Sequence, residues 1–482
     1  VLMALEILSS RILAPRFGNS VYVWGSIISV FLAALSVGYW WGGRAADRDP
    51  TLGGLGRMVA WAAVAQAVVV VGGPLVADLL GARTGATPWG PLITAGVLFA
   101  PPSVLLATLS PYAVRLAARD LARLGHTAGT LYAVSTAGSL LGTLGCTFLM
   151  IPFLPLGRAL GLVLGVTATT ALVALAPDWR RHRLAVAACL LLLVLAATGP
   201  PRLVAAPAGL VAERTTPYQT LQVIDRLGVR YLESDGVVHG AVDRSTGEVA
   251  MGYPRVLPAA WLLSPDIRRV LILGLGGGNV AAYLQTAFPG VEIDFVEVDP
   301  AVVEVARRHM GLVESASLRV HVGDGRRFLE TQEASWDLIL ADTYIGLSVP
   351  FHLTTVELVR LVDARLAPGG VFAVNLAAEL EAPFPRAIAR TVAEVFPHLE
   401  VFAVPGRTNR MLFASRHGWP SAAETDRRAR RLGERPTLDP DLVELVGYRG
   451  RRPPDLTGAP VLTDAFAPVD RLIHLGARPP QP

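Results

Sequence analysis

Val270-Leu271-Ile272-Leu273-Gly274-Leu275-Gly276-Gly277-Gly278-Asn279 decides the fold of the second half of this 482-residue chain. Val270 to Leu275 is a continuous apolar run of strand length. The glycines that end it let the backbone turn sharply and approach a ligand with no Cβ in the way. Asn279 then opens a helix reaching Phe288, and the alternation continues with a strand at Ile293 to Val298, a helix at Pro300 to Met310, and strands at Leu318 to Val322 and Leu338 to Ala341. Buried strands alternating with helices predict an open, doubly wound parallel sheet. A glycine-rich turn alone is sometimes only a tight connection, so its neighbours decide its meaning.

Those neighbours are three acids at successive carboxyl ends of strands. Glu297 closes the second strand, where a carboxylate can accept both hydroxyls of a ribose. Asp324, in Val322-Gly323-Asp324-Gly325, follows the third and can accept from an adenine amino group. Asp342 ends the fourth at the open edge of the sheet, where such folds place their reacting centre. Each acid singly could be a helix cap, as Asp299 before Pro300 is expected to be. Three in succession are harder to read that way. The nicotinamide fingerprint Gly-x-Gly-x-x-Gly fails because Asn279 occupies its third glycine position. The pattern fits an α/β Rossmann-like, class I S-adenosylmethionine-dependent transferase domain, with Gly274, Gly276, Gly278, Asn279, Glu297 and Asp324 as cofactor-binding candidates.

Upstream, Thr220 to Arg226, Val229 to Ser234 and Val237 to Val242 are short β-type segments broken by Leu227-Gly228 and Asp235-Gly236, the signature of hairpin turns. A Pro-rich linker, Gly199 to Pro207, comes before them. The first 200 residues hold most of the apolar excess behind a 52% hydrophobic, 17% charged composition and a mean hydropathy of +0.45. Tyr22 to Trp41 is long enough to span a bilayer and carries aromatic belts at both ends. Further apolar stretches run from about Met58 to Leu80, Pro91 to Ala113, Leu131 to Ile151, Leu160 to Leu175 and Leu184 to Ala197. Asp78 and Arg83 read as one loop, and Val1 to Ala14 as a half-buried helix or a truncated span. A secretory signal is not expected, since a basic leader and a cleavage site are missing.

Arginines at Arg44/Arg48/Arg57, Arg115/Arg119/Arg123 and Arg180/Arg181/Arg183 mark cytoplasmic loops. A crossing by Leu184 to Ala197 would put the following domain outside, so an interfacial or re-entrant helix stays open there. The expected organisation is a multi-span α-helical membrane domain at 1–199, a linker and small N-terminal β-hairpin subdomain at 200–265, the Rossmann-like catalytic domain at 266–415 and a C-terminal extension at 416–482.

All 43 basic residues are arginine, which excludes Schiff-base, pyridoxal and Walker-A chemistry, each of which needs a lysine. A net charge of +4 adds little to a nucleic-acid reading, and none is expected as a partner. Cys146 and Cys189 lie in apolar runs, and the nine histidines show no metal-ligand spacing, so no metal is expected. The run Arg427-Arg428-Ala429-Arg430-Arg431 reads as a solvated helix face ahead of a lipid-binding one.

The chain resembles the membrane-fused form of the spermidine synthase family. The resemblance rests on Thr216-Pro217-Tyr218-Gln219-Thr220-Leu221-Gln222-Val223, Leu273 to Gly278, Val296-Glu297-Val298-Asp299-Pro300, Ala341-Asp342-Thr343-Tyr344, Ser10 to Pro15, Gly42-Gly43-Arg44 and the tail Leu462 to Asp470. It implies aminopropyl transfer from decarboxylated S-adenosylmethionine to a small amine or polyamine. Asp342 matches the catalytic acid, Tyr218 and Gln219 match hairpin residues of the site, and Tyr253 faces the same cleft or is a core aromatic. Gln219 then joins the cofactor set, while Tyr218, Tyr344 and His352 join the acceptor side. His352 could also be a local base, or pack near a helix start.

Two departures stand out. The aspartate that binds the donor's amine is matched by Asn279, and a second acceptor-binding aspartate by Ile345. A desolvated ammonium without an anionic partner is costly. A diamine acceptor is therefore doubtful, and a methyltransferase using S-adenosylmethionine on a membrane-associated acceptor is an alternative. So is a nucleoside-binding membrane sensor or transporter, which would not require Asp342. The expected setting is an integral protein of the cell membrane, with the bilayer as partner, a cytoplasmic catalytic domain, and a homo-oligomer left open.

Overall fold

The computed structural model describes residues 1–18, 20–84, 87–118, 124–199, 207–344, 348–433 and 455–476. Arg119, Arg123, Ile345 and linker residues 200–206 lie outside them. The chain divides into two compact units, Val1–Ala206 with Thr215–Pro217 and Arg478–Pro482, and Pro207–Arg214 with Tyr218–Ala477.

The first unit is helical: α1 (Leu2–Phe17), α2 (Val21–Arg48), α3 (Leu52–Thr84), α4 (Trp89–Ala107), α5 (Leu109–Ala117), α6 (Leu124–Gly145), α7 (Ile151–Phe153), α8 (Leu156–Leu175) and α9 (Arg183–Thr198). Among the described residues, five helical segments are long and apolar enough to cross a membrane: Val21–Arg48, Leu52–Thr84, Trp89–Ala117, Leu124–Phe153 and Leu156–Asp178. At 16 residues, α9 is shorter than the roughly 20 that a span needs. Asp78 and Arg83 are not in a loop. The run Leu75-Val76-Ala77-Asp78-Leu79-Leu80 favours helix and carries α3 on past Pro74, with both charges on its last turns. In α1, Leu5, Leu8 and Leu13 are buried in the bundle.

The approach of α2 to α4 is set by two glycines four residues apart. A Cβ at Gly38 would stand 2.4 Å from that of Ala107, and one at Gly42 would stand 2.6 Å from the Cα of Thr108. Small residues at this spacing let helix backbones close up. Both thiols, Cys146 and Cys189, are fully buried.

The second unit begins with a four-stranded sheet of β1 (Leu210–Thr215), β2 (Thr220–Arg226), β3 (Val229–Ser234) and β4 (Val237–Asp243), paired in that order. Its turns are of the expected kind: Leu227 and Gly228 have φ of 50° and 81°, Asp235 and Gly236 of 47° and 80°. Positive φ at both central residues matches the right-handed twist of the flanking strands.

The larger sheet contains β5 (Arg269–Leu273), β6 (Glu292–Glu297), β7 (Leu318–Val322), β8 (Trp336–Ala341), β9 (Leu366–Leu376), β10 (His398–Ala403) and β11 (Arg410–Ser415), ordered β10-β11-β9-β8-β5-β6-β7. It is not wholly parallel, since β11 runs antiparallel to both β9 and β10. The connection from β10 to β11 is too short for a crossover helix, so the chain must reverse. Alternation along the strands fills two cores, Val270, Ile272, Leu338 and Leu340 on one face and Leu271, Leu273 and Ile339 on the other. The helices α10 (Ala259–Leu263), α11 (Asn279–Ala287), α12 (Pro300–His309), α13 (Gly325–Thr331), α14 (Val356–Arg365) and α15 (Pro383–Ala393) connect these strands, followed by α16 (Ala422–Gly433) and α17 (Val469–Gly476). In α16, Arg427 and Arg428 are paired with Glu424 of the same helix. The tail docks through Asp464, which accepts from Arg326 at 2.7 and 2.6 Å and from the Thr355 hydroxyl at 2.7 Å.

Candidate active site

A cavity of about 330 Å³ lies between the carboxyl ends of β5, β6 and β8 and the hairpin sheet. Two glycines are required by its construction. A Cβ at Gly274 (φ 96°) would fall 2.1 Å from the carbonyl oxygen of Asp342, and one at Gly276 (φ 52°) would fall 2.5 Å from that of His239. The first glycine lets the ends of β5 and β8 converge, and the second lets β4 roof the loop. Both line the cavity.

Gly278 and Asn279, expected on the cofactor side, are not among its lining residues. Gly278, left-handed at φ 70°, caps α11. Asn279 opens that helix with its amide turned the other way, donating to the Met310 carbonyl at 2.8 Å, and borders a separate cavity with Arg230 and His309. Its place at the helix start directs the side chain against the chain leaving α12.

Glu297 is buried at the end of β6, and its two oxygens accept from the backbone N–H groups of Leu275 (3.0 Å) and Asp299 (2.9 Å). Burial pushes its carboxyl up, and these bonds pull it back only in part. Asp299 caps α12, accepting from Ala301 N–H at 3.0 Å. The amide of Gln219 donates to Asp299 at 3.3 Å and accepts from the Ser234 hydroxyl, which ties the hairpin sheet to the cavity wall. Asp324 caps α13, accepting from Arg327 N–H at 2.9 Å, with the His352 imidazole 2.8 Å from its other oxygen. Burial works against the charge on Asp324, and those two bonds more than offset it, leaving the carboxyl below its ordinary value.

Asp342 directly follows β8. The Tyr253 hydroxyl donates to its Oδ2 at 2.5 Å and the Asn375 amide to its Oδ1 at 2.9 Å. Asn375 in turn accepts from the Asn409 amide at 3.2 Å. Tyr253 lies in the hydrophobic core and is not among the cavity-lining residues, and it meets the site through its hydroxyl on Asp342. Burial and then the adjacent carboxylate hold its hydroxyl well above the ordinary range, so it stays a proton donor to Asp342. Tyr344 lines the cavity with its hydroxyl fixed, donating to the Asn375 carbonyl at 3.2 Å and accepting from Ala377 N–H at 3.0 Å. Tyr218 and His352 also line the cavity.

Sequence reasoning missed Asn375, Asn409 and the cavity residues Ser234 and His239. For Asn375 a signal existed: it is the lone polar side chain in the apolar run Phe372-Ala373-Val374-Asn375-Leu376.

The sheet order and the cavity at its carboxyl ends define a class I S-adenosylmethionine-methyltransferase-like α/β domain. Within that class, residues 257–417 match the family model of the spermine/spermidine synthase domain. The chain is 31% identical over 281 residues to a probable polyamine aminopropyl transferase of Bifidobacterium longum, a match covering 55% of this chain and 62% of that relative. It is 31% identical over 159 residues to an eEF1A lysine and N-terminal methyltransferase of Bos taurus, covering 31% of this chain and 23% of the relative. A probable spermidine synthase from Corynebacterium glutamicum matches with a TM-score of 0.43 at 20% identity, over 55% of this chain and 98% of that structure.

Proposed function

We propose that the chain is a membrane-anchored transferase that moves the aminopropyl group of decarboxylated S-adenosylmethionine onto an amine held at Asp342. The observation that carries this reading is the Asp342 carboxylate, fixed between Tyr253 and Asn375 on the wall of a cavity that also holds Gly274, Gly276 and Glu297. Several features suit a nucleoside donor. The volume is in the usual range for small-molecule sites. The carboxylate of Glu297 retains lone pairs for ribose hydroxyls, and that of Asp324 lies where an adenine amino group would be accepted.

Such a donor supplies a sulfonium that makes its neighbouring methylene electrophilic. The chain's own part is proton handling and aim. An alkylamine titrates near pKa ~10, so it reaches the site as an ammonium and must lose a proton before it can attack. Asp342 receives that proton. Tyr253 and Asn375 occupy one lone pair on each carboxylate oxygen and leave the remainder for the amine.

The helical unit is the anchor in this reading, with the bilayer as its partner. The clusters at Arg44/Arg48/Arg57 and Arg180/Arg181/Arg183 support a cytoplasmic catalytic unit. Retention in the membrane pellet after alkaline carbonate extraction tests the anchor, and release into the supernatant would refute it.

Calorimetric binding of both donors to the detergent-purified chain tests the chemistry. The decarboxylated donor should bind, turnover by Asp342→Asn should fall about 10²- to 10⁴-fold with donor affinity kept, and Glu297→Ala should weaken donor binding. A second reading, a methyltransferase, is favoured by the turning away of Asn279, which takes that amide out of the donor cavity. Preference for ordinary S-adenosylmethionine in the same titration would establish it instead.

A further inference from the structure

We propose that the acceptor is a monoamine on an alkyl or aryl stem, not a diamine, an inference that rests on the transferase reading above. Among the described residues, the carboxylates lining the cavity are Glu297, Asp324 and Asp342. Glu297 already accepts from two backbone N–H groups, and Asp324 from the Arg327 N–H with His352 beside it. Both stand on the donor side, after β6 and β7. Among the described residues, Asp342 is left as the acid of the cavity free to face the acceptor, and Tyr218, Thr343, Tyr344 and Leu353, which line it too, are uncharged. The sequence from Thr343 to Thr355 contains no Asp or Glu.

Next to Tyr344 is a side chamber of about 30 Å³ that shares Thr343, Tyr344 and Leu353 with the main cavity. It is lined mostly by apolar side chains, Val349, Phe372 and Ile388 among them, and by no carboxylate among the described residues. This is room for two or three methylene-sized groups. A second ammonium placed here would be desolvated with no counter-charge, a penalty far larger than the gain from burying a methylene in the same place. One charge is therefore accommodated at Asp342, and the rest of the acceptor meets apolar walls.

The step balances with a single amine. Its ammonium gives a proton to Asp342, and the nitrogen lone pair forms a C–N bond to the methylene beside the donor's sulfonium. The C–S bonding pair returns to sulfur, which leaves as a neutral thioether. The positive charge ends on the product ammonium, and Asp342 passes its proton to solvent.

The test gives the full chain in detergent decarboxylated S-adenosylmethionine with butylamine, pentylamine or phenethylamine. In parallel it receives 1,4-diaminobutane or 1,5-diaminopentane. Thioether nucleoside release and calorimetric donor binding are measured on the same preparation. For equal chain length, kcat/KM should be at least ~10-fold higher for the monoamine. Leu353→Asp, which adds a carboxylate where the two chambers meet, should move that ratio ~10-fold toward the diamine. A wild-type preference for the diamine, equal rates, or bound donor with no turnover of any amine overturns the inference. An unmoved ratio in a Leu353→Asp protein that still binds donor does so too. Failure of the wild-type chain to bind the donor overturns the transferase reading itself, and the acceptor inference with it.

Discussion

Asn375 shows what one side chain contributes to the site. Its amide donates to Asp342, and its own carbonyl oxygen is fixed by Asn409, so the pair cannot turn without losing two bonds. It also lines the side chamber, but its part in the proposed reaction is to hold Asp342, and it is a positioning residue. Asn375→Ala should lower kcat by about 10-fold and leave the KM for donor unchanged, with Asn375→Gln restoring part of the loss in steady-state kinetics. A change confined to KM would mean that it binds substrate instead. The sequence showed a polar residue misplaced in an apolar strand but not its purpose, because the partner lies 33 residues away and is met only when β8 and β9 pair. Asn279 shows the opposite case. Its motif position was plain, yet its direction was decided by the first turn of α11, which no motif encodes.

At the scale of elements, the hairpin turns were legible because Leu227-Gly228 and Asp235-Gly236 leave few conformations open. Leu227 is nonetheless a poor occupant, fully exposed and left-handed at φ 50°. Replacing it with Asn, which tolerates that conformation, should stabilise the second unit by roughly 0.5–1 kcal/mol in denaturant melts. No gain would mean the turn relaxes around leucine without cost. The contact of α2 with α4 makes a sharper contrast. Gly38→Leu should lower the melting temperature and favour aggregation in detergent, because its Cβ alone would overlap Ala107 and the Val104 carbonyl. Gly43→Ala, five residues along the same helix with nothing within 4 Å of the new atom, should be silent. Equal effects would refute the close packing. The reversal of β11 was not legible, since a buried antiparallel strand has the same apolar run as a parallel one.

At the scale of the molecule, composition alone separated an apolar helical part from an α/β part, because the two solvate differently. The tail adds a contact of long range, from Asp464 to Arg326. The Arg326 guanidinium holds the Asp464 carboxyl down to about 2 from an ordinary 3.8. A carboxyl depressed on folding contributes stability above its unfolded value, and that contribution is lost as pH falls through the folded one. Hydrogen exchange in Leu462 to Asp470 should therefore quicken between about pH 4 and pH 2 in the wild type, and be fast throughout in Asp464→Asn. A flat wild-type profile would show that the tail is held by its apolar contacts alone.

The burial of Cys146 and Cys189 has a consequence for labelling. A maleimide too polar to enter the bundle should leave the native chain unmodified, so a single cysteine introduced at an exposed position becomes the only target. If the helical unit is anchored as proposed, such a reporter placed beside Trp179, or beside Arg44, would be reached from one face of a sealed vesicle and shielded from the other. The orientation of the helices can then be scored span by span in the otherwise natural sequence.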